Sequence, residues 1–215
     1  MQIGIIGSGI VGRVLAAAFL KEGDEVMLGT RNIAKEEVLT WKNTNPGGQT
    51  GNFEQAALFG ELIVLATGGK VIEKAIQLAG EENFKDKTVI DTTNPISTVP
   101  PVNGVIQYFT SPNESLMEKI QAWLPEANIV KAFNSVGNAM MYKPDYHNIL
   151  PSMFICGNNE AAKKVVTGIL TRFGWETEDM GHAEAARAIE PLCMLWCIPG
   201  LLYNQWTHAF KLLKQ

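Results

Sequence analysis

An α/β fold with a doubly wound, mostly parallel sheet is predicted from three observations. First, the apolar run Ile3-Gly4-Ile5-Ile6 leads into Gly7-Ser8-Gly9-Ile10-Val11-Gly12. Second, that turn opens an amphipathic run to Glu22, in which Val11, Leu15 and Phe19 share one helical face. Third, continuous apolar runs such as Leu62–Ala66 alternate with helical patterns, as strands covered on both faces do. The chain therefore reads as Rossmann-like. Residues 1–150 form the dinucleotide-binding domain, and residues 151–215 a small, mainly helical C-terminal extension.

The turn carries the chemistry. Gly7 permits the bend, Gly9 lets a pyrophosphate approach the backbone, and Gly12 lets the helix pack close to the strand. Ser8, Ile10 and Val11 complete it. Unpaired amides and the positive end of the helix dipole then face the phosphates.

The second strand, Glu25–Leu28, ends at Gly29-Thr30-Arg31-Asn32. NAD-specific folds place an acid here for the ribose 2′-hydroxyl. Thr30 and Arg31 stand there instead, and Lys35 follows one helical turn later. Arginine pairs with a 2′-phosphate through charge-assisted hydrogen bonds, so NADP is expected over NAD. The alternative is that Arg31 and Lys35 are a solvated helix start.

Asn43–Asn52 reads as a loop or weak edge strand, and Phe53–Phe59 as a short helix capped by Asn52. The strand Leu62–Ala66 ends in Thr67-Gly68-Gly69. Ligands sit beyond the carboxyl ends of such strands, so Ala66, Thr67 and Gly68 are expected at the cofactor. A helix over Val71–Leu78 precedes the buried strand Thr88–Ile90. That strand ends in Asp91-Thr92-Thr93-Asn94-Pro95, where Pro95 holds Asn94 extended. Asn94 is expected to reach the nicotinamide ribose or carboxamide, unless the segment merely terminates the strand. Ile96–Asn113, rich in proline, reads as a loop over the site. A helix at Ser115–Leu124, a strand at Asn128–Phe133 and an irregular stretch from Asn138 to Leu150 follow. Ser152–Cys156 is a strand, Glu160–Phe173 a helix closed by Gly174, and Trp175–Glu178 a last strand. His182–Cys197 is helical, with a kink expected at Pro191, and a second helix is expected over Leu201–Leu213.

Bulk properties narrow the function. The 215 residues are 46% hydrophobic and 19% charged, with a net charge of -4, which argues against a nucleic-acid surface. The apolar start lacks a basic leader. Pro191–Leu202 reads as too short to span a bilayer. Three cysteines do not make a disulfide framework. Cys193 and Cys197, four apart on an apolar helix, read as buried inert thiols, with a redox pair or metal site as the alternative. No resident metal is expected, and the compartment is expected to be the cytoplasm. The apolar surface of the last helices suggests a homodimer.

In this order, Gly7–Gly12, Leu28–Asn32, Asp91–Pro95, Val130–Asn134, Phe154–Asn158 and Gly181-His182 through Ala188–Leu192 resemble NADPH-dependent oxidoreductases of the deazaflavin (coenzyme F-420) type. They are also similar to the cytosolic NADPH:flavin domains of six-transmembrane metal-ion reductases. The resemblance covers nearly the whole chain. It implies NADP(H) as cofactor, a flavin or deazaflavin co-substrate stacked over the nicotinamide, and usually a homodimer. It places Ser8, Ile10 and Val11 at the pyrophosphate, Thr30, Arg31 and Lys35 at the 2′-phosphate, and Thr67 and Asn94 near the nicotinamide half. The C-terminal domain would contribute to the acceptor site and the dimer interface.

Hydride transfer between stacked rings needs oriented approach more than proton chemistry, which suits a sequence with no evident acid–base dyad. His182 is the lone candidate for touching the acceptor, beside its reading as a surface or capping group. Lys131 and Asp179 read equally well as structural. The alternatives are a hydroxyacid or imine reductase on the same scaffold and a non-enzymatic NADPH sensor.

Overall fold

The computed structural model describes residues 1–215. One eight-stranded sheet runs through it in the order β3-β2-β1-β4-β5-β6-β7-β8. The strands are β1 (Gln2–Ile6), β2 (Glu25–Gly29), β3 (Gln49–Gly51), β4 (Leu62–Leu65), β5 (Thr88–Asp91), β6 (Asn128–Lys131), β7 (Ser152–Gly157) and β8 (Glu176–Asp179). Every pairing is parallel except β6 with β7. The order reverses on either side of β1 and β4, which opens a crevice at their carboxyl ends.

Helices cover both faces, as the continuous apolar strands require. On one face α1 (Ile10–Lys21), α2 (Glu36–Thr44) and α6 (Glu160–Arg172) bury Leu15, Phe19, Trp41, Val166 and Ile169 against the sheet. On the other, α3 (Phe53–Phe59), α4 (Ile72–Ala79), α5 (Leu116–Trp123) and the start of α7 (Ala186–Tyr203) bury Phe53, Ile76, Ile120 and Ile189. The Asn52 cap is present as a reciprocal capping box with Gln55, and Ser115 makes the same motif with Glu118.

β7 and β8 join the same sheet, so it continues across position 150. The antiparallel register sets Val130 opposite Gly157 and Lys131 opposite Cys156. The start of β7 therefore rises above the carboxyl end of β6.

Two expectations at the C-terminus are corrected. No second helix occupies Leu201–Leu213: α7 runs to Tyr203 and closes at Asn204, which adopts the left-handed conformation with φ 55°. The tail then folds back. Trp206 and His208 pack on the Trp196 ring, with centroids 5.6 and 5.0 Å away. Ser152 donates its N–H to Phe210 O at 2.9 Å, and Leu212 N–H donates to Ser152 Oγ at 3.0 Å. Those partners satisfy the backbone that a helix would otherwise have paired internally. The helical run Ala183–Tyr203 is also 21 residues long with mean hydropathy 1.3, long and apolar enough by composition to cross a membrane. Reading only Pro191–Leu202 underestimated it, because neither proline ends the helix.

Candidate active site

The glycine turn is built by sterics. Gly7 has φ 125°, and a Cβ there would lie 2.4 Å from Ala66 O. A Cβ on Gly12 would lie 1.9 Å from Gly7 O, so α1 approaches the turn as only glycine allows. Gly9 is different: nothing lies within 4 Å of its would-be Cβ. Its N-cap position has no side-chain cap, and the first turn of α1 carries no acid. The first amides of a twelve-residue helix thus open onto an empty cradle that a side chain would fill, which suits a pyrophosphate. Ile10 is 51% exposed at this mouth, Val11 is half-buried, and Gly12 is buried behind them.

A groove of about 550 Å³ extends from the cradle, lined by Gly7, Ser8, Gly9, Thr30, Arg31, Asn32, Lys35, Ala66, Thr67 and Gly68 among others. Ten of the residues singled out in the sequence thus meet in one cavity. Ser8 donates to Thr30 Oγ1 at 2.8 Å, and Asn32 N–H reaches the same hydroxyl at 3.3 Å. This clip joins the β1 and β2 turns at one end of the groove. Asn32 Oδ1 accepts from Ala34 N–H at 2.9 Å, which shapes the loop carrying Arg31.

The cations differ. Lys35 is paired with Glu37 at 3.1 Å, both about half exposed. Arg31 is exposed at the groove with no ion-pair partner among the salt bridges, and so is Lys74 on α4. Lys74, with Phe53, Val71, Ala75 and Leu78, was missed in the sequence. It reaches the groove only because α4 packs beside α3 on the same face. Its signal was faint: a basic residue on the helix that follows the Thr67-Gly68-Gly69 turn.

Asn94 and Pro95 lie outside this groove, at the end of β5. The Asn94 side chain donates to Asn134 O at 2.8 Å and accepts from Asn134 Nδ2 at 3.2 Å. Its amide therefore first positions the turn after β6. One N–H and one lone pair remain for a ligand. Phe133 sets that turn with φ 61°, a conformation costly for a non-glycine residue. Burial of its ring, 6.0 Å from that of Phe173, holds it there.

Beneath this turn lies a buried ion cluster. Lys131 Nζ is 2.6 Å from Asp91 Oδ2 and 2.8 Å from Glu190 Oε1, and donates to Thr93 O at 2.8 Å. Burial opposes the charge on Lys131, but the Asp91 and Glu190 carboxylates outweigh it and hold the ammonium above the ordinary lysine range. Glu190 also accepts from Leu116 N–H at 2.9 Å and Met117 N–H at 3.0 Å, the first amides of α5. The cluster is structural: all three side chains are buried.

His182 is not brought to the cofactor edge. Because β7 runs antiparallel, the loop after β8 returns toward the start of β6. Gly157 N–H donates to Gly181 O at 2.9 Å, and Ala183 N–H to Asn158 Oδ1 at 3.0 Å, beside the contact of Asn159 with Asn128. His182 is an exposed residue there. Asp179 pairs with Lys163 at 2.8 Å.

Residues 2–95 match the family described as NADP oxidoreductase coenzyme F420-dependent. The F420-dependent NADP reductase of Methanocaldococcus jannaschii is 28% identical over 205 residues, covering 91% of this chain and 90% of that protein. Metalloreductase STEAP3 of Rattus norvegicus is 28% identical over 207 residues, 94% of this chain but 39% of the relative. The crystal structure of an Arthrobacter sp. FB24 protein, provisionally described as an F420-dependent NADP-reductase, superposes with TM-score 0.92 at 29% identity, covering 100% of both chains. A Streptomyces aurantiacus imine reductase shares the fold, with TM-score 0.67 and 19% identity over 94% of this chain and 63% of its own. The chain is accordingly similar over nearly its whole length to an F420-dependent NADP reductase, and residues 2–95 match the family of F420-dependent NADP oxidoreductases.

Proposed function

We propose that the protein is an NADP(H)-dependent oxidoreductase that passes hydride between NADPH and a planar flavin- or deazaflavin-like acceptor. The observation that carries this reading is the groove itself: an open glycine cradle for two phosphates, continuous with an unpartnered arginine where a third would sit. NADPH, when bound, supplies the hydride. The chain's own residues bind and orient it. Gly9 and the α1 amides hold the pyrophosphate, while Thr30 and Arg31, with Lys74 across the groove, take the adenosine phosphate. Ala66, Thr67 and Gly68 border the chain of the cofactor as it crosses toward the end of β5.

The acceptor side is assigned to the structure above β5 and β6: the 96–113 loop, the second half of α7, the tail and the start of β7. Tyr108 ties the loop to α7 by donating to Glu190 O at 2.6 Å. The ionisable residues that end these strands, Asp91 and Lys131, are committed to their buried ion pairs. That supports ring-to-ring hydride transfer over an imine reduction that needs a proton donor.

The proposal includes a cytoplasmic homodimer with no membrane or nucleic-acid partner. The exposed α7 residues Leu195, Leu201, Leu202 and Tyr203 support the dimer, and light scattering on the purified protein tests it. The activity is tested by loss of NADPH absorbance with a deazaflavin, oxidised flavins and ferric chelates as acceptors. Turnover with the deazaflavin or a flavin is expected. NADPH binding with no turnover on any acceptor would favour the sensor reading.

A further inference from the structure

Cys193 and Cys197 stand one helical turn apart on α7, with their sulfurs 4.0 Å apart. Cys193 is buried and Cys197 half-buried, so the pair is reachable from one side. Hydrogen bonding from Cys193 holds the Cys197 thiol below its ordinary range, and the same contact raises Cys193. A direct disulfide would need the sulfurs to close to about 2.05 Å on a rigid turn. One inserted atom needs no such closure. Two bonds of about 2.3 Å, the usual metal–thiolate length, meet sulfurs 4.0 Å apart at an angle of roughly 120°. No set of three His, Cys, Asp or Glu side chains gathers anywhere in the chain, so a zinc site, which wants four ligands, is not built.

We propose that Cys193 and Cys197 form a dithiol site for a soft, thiophilic centre that bridges two sulfurs, of the trivalent-arsenic or monovalent-copper class. With an organic arsenic oxide, both thiols add to arsenic. Two As–S bonds form, the oxygen leaves as water with the two thiol protons, and no oxidation state changes. With copper(I), both sulfurs bind as thiolates and release their protons to solvent.

The test uses the folded full chain and phenylarsine oxide in the presence of excess monothiol. Native mass spectrometry should show one arsenical per chain, mapped to the fragment holding residues 188–211. Cys156 is a built-in control, because burial pushes its thiol up to about 12, and it should stay unmodified. Cys193→Ser and Cys197→Ser should each weaken capture by about 10²–10⁴-fold, the gain that a second tethered ligand brings. NADPH titration and circular dichroism verify that each variant is folded. If a serine variant fails to fold, the fragment map on the native chain decides alone. No adduct on the native chain, an adduct mapping to Cys156, or capture unchanged in a folded serine variant would each overturn the proposal. Bicinchoninate competition for copper(I) separates the two sources: stoichiometric copper retention identifies a metal ion as a ligand, and arsenical capture without it restricts the site to arsenic.

Discussion

Arg31→Ala probes the adenosine end of the groove, and its size follows from the local charges. Arg31 has no carboxylate partner, so its guanidinium gives up no ion pair when a phosphate arrives. A charge-assisted hydrogen bond contributes about 1.5–3 kcal/mol. Losing one such bond should weaken NADPH binding roughly 10- to 150-fold, with the lower end favoured by solvent screening at 0.15 M salt. NADH has no 2′-phosphate, and its affinity should move less than about threefold. Lys35→Met is the contrast. Its ammonium already holds Glu37 at 3.1 Å with both groups half exposed, so a phosphate only exchanges one partner for another. That swap should cost less than about 1 kcal/mol. Lys74→Met should fall between the two. Calorimetric titrations of both nucleotides at fixed ionic strength, on the native chain and the three variants, measure all eight affinities. A loss shared equally by NADPH and NADH in Arg31→Ala would refute the phosphate assignment. So would a Lys35→Met loss larger than that of Arg31→Ala.

Gly9→Val should abolish NADPH binding while keeping its melting temperature within a few degrees, because its Cβ meets nothing in the folded chain. Calorimetry and thermal melts check it together. Gly12→Ala should fail to fold, since its Cβ would lie 1.9 Å from Gly7 O; a cooperative native-like melt would contradict that. Lys131→Met should cost about 3–5 kcal/mol in urea unfolding, because it leaves Asp91 and Glu190 buried without a cation. The sign with pH is fixed. In that variant the buried carboxylates hold protons more tightly when folded, so its stability should fall as pH rises from 5 to 8. In the native chain Lys131 has a raised pKa, so its contribution is complete below the unfolded lysine value and is lost only above it.

What the sequence revealed was local. The β1 turn, the Asn52 cap and the Thr30-Arg31 pair are each specified by residues within a few positions of one another; the turn and the cap form as read, and Thr30 and Arg31 line the same groove as the turn. What it hid was long-range. Asn94 meets Asn134 across 40 residues, a contact that exists only once β5 and β6 are neighbours. The place of His182 depends on one strand direction: with β7 parallel, the loop after β8 would have reached the carboxyl edge of β1 to β6. The tail looked helical by composition, yet Trp196 and β7 offered its backbone better partners. Lys131 and Glu190 did leave a trace. Each is a lone charge in an otherwise apolar run, and two such residues of opposite sign are rarely buried except together.

That pairing explains how the two ends of the chain make one site. Asp91 ends β5 and also accepts from Thr93 N–H at 2.9 Å and Thr93 Oγ1 at 2.7 Å, which shapes the segment leading to Asn94. Lys131 ends β6, Glu190 lies on α7, and the Glu190 carboxylate caps α5. The excess negative charge is met by the α5 amides and the positive end of that helix. Four elements thus share one buried electrostatic knot at the carboxyl ends of β5 and β6. A shift of α7 would uncover buried charge, so the start of that helix follows the strand ends rigidly. The 96–113 loop is tied more lightly: Lys70 reaches Thr98 at 3.0 Å between exposed side chains, and Tyr108 makes one bond to α7. On the proposed reading, a planar acceptor enters past that loop rather than past the helix, because opening the loop costs two side-chain hydrogen bonds and the burial of Ile106 while the knot stays closed.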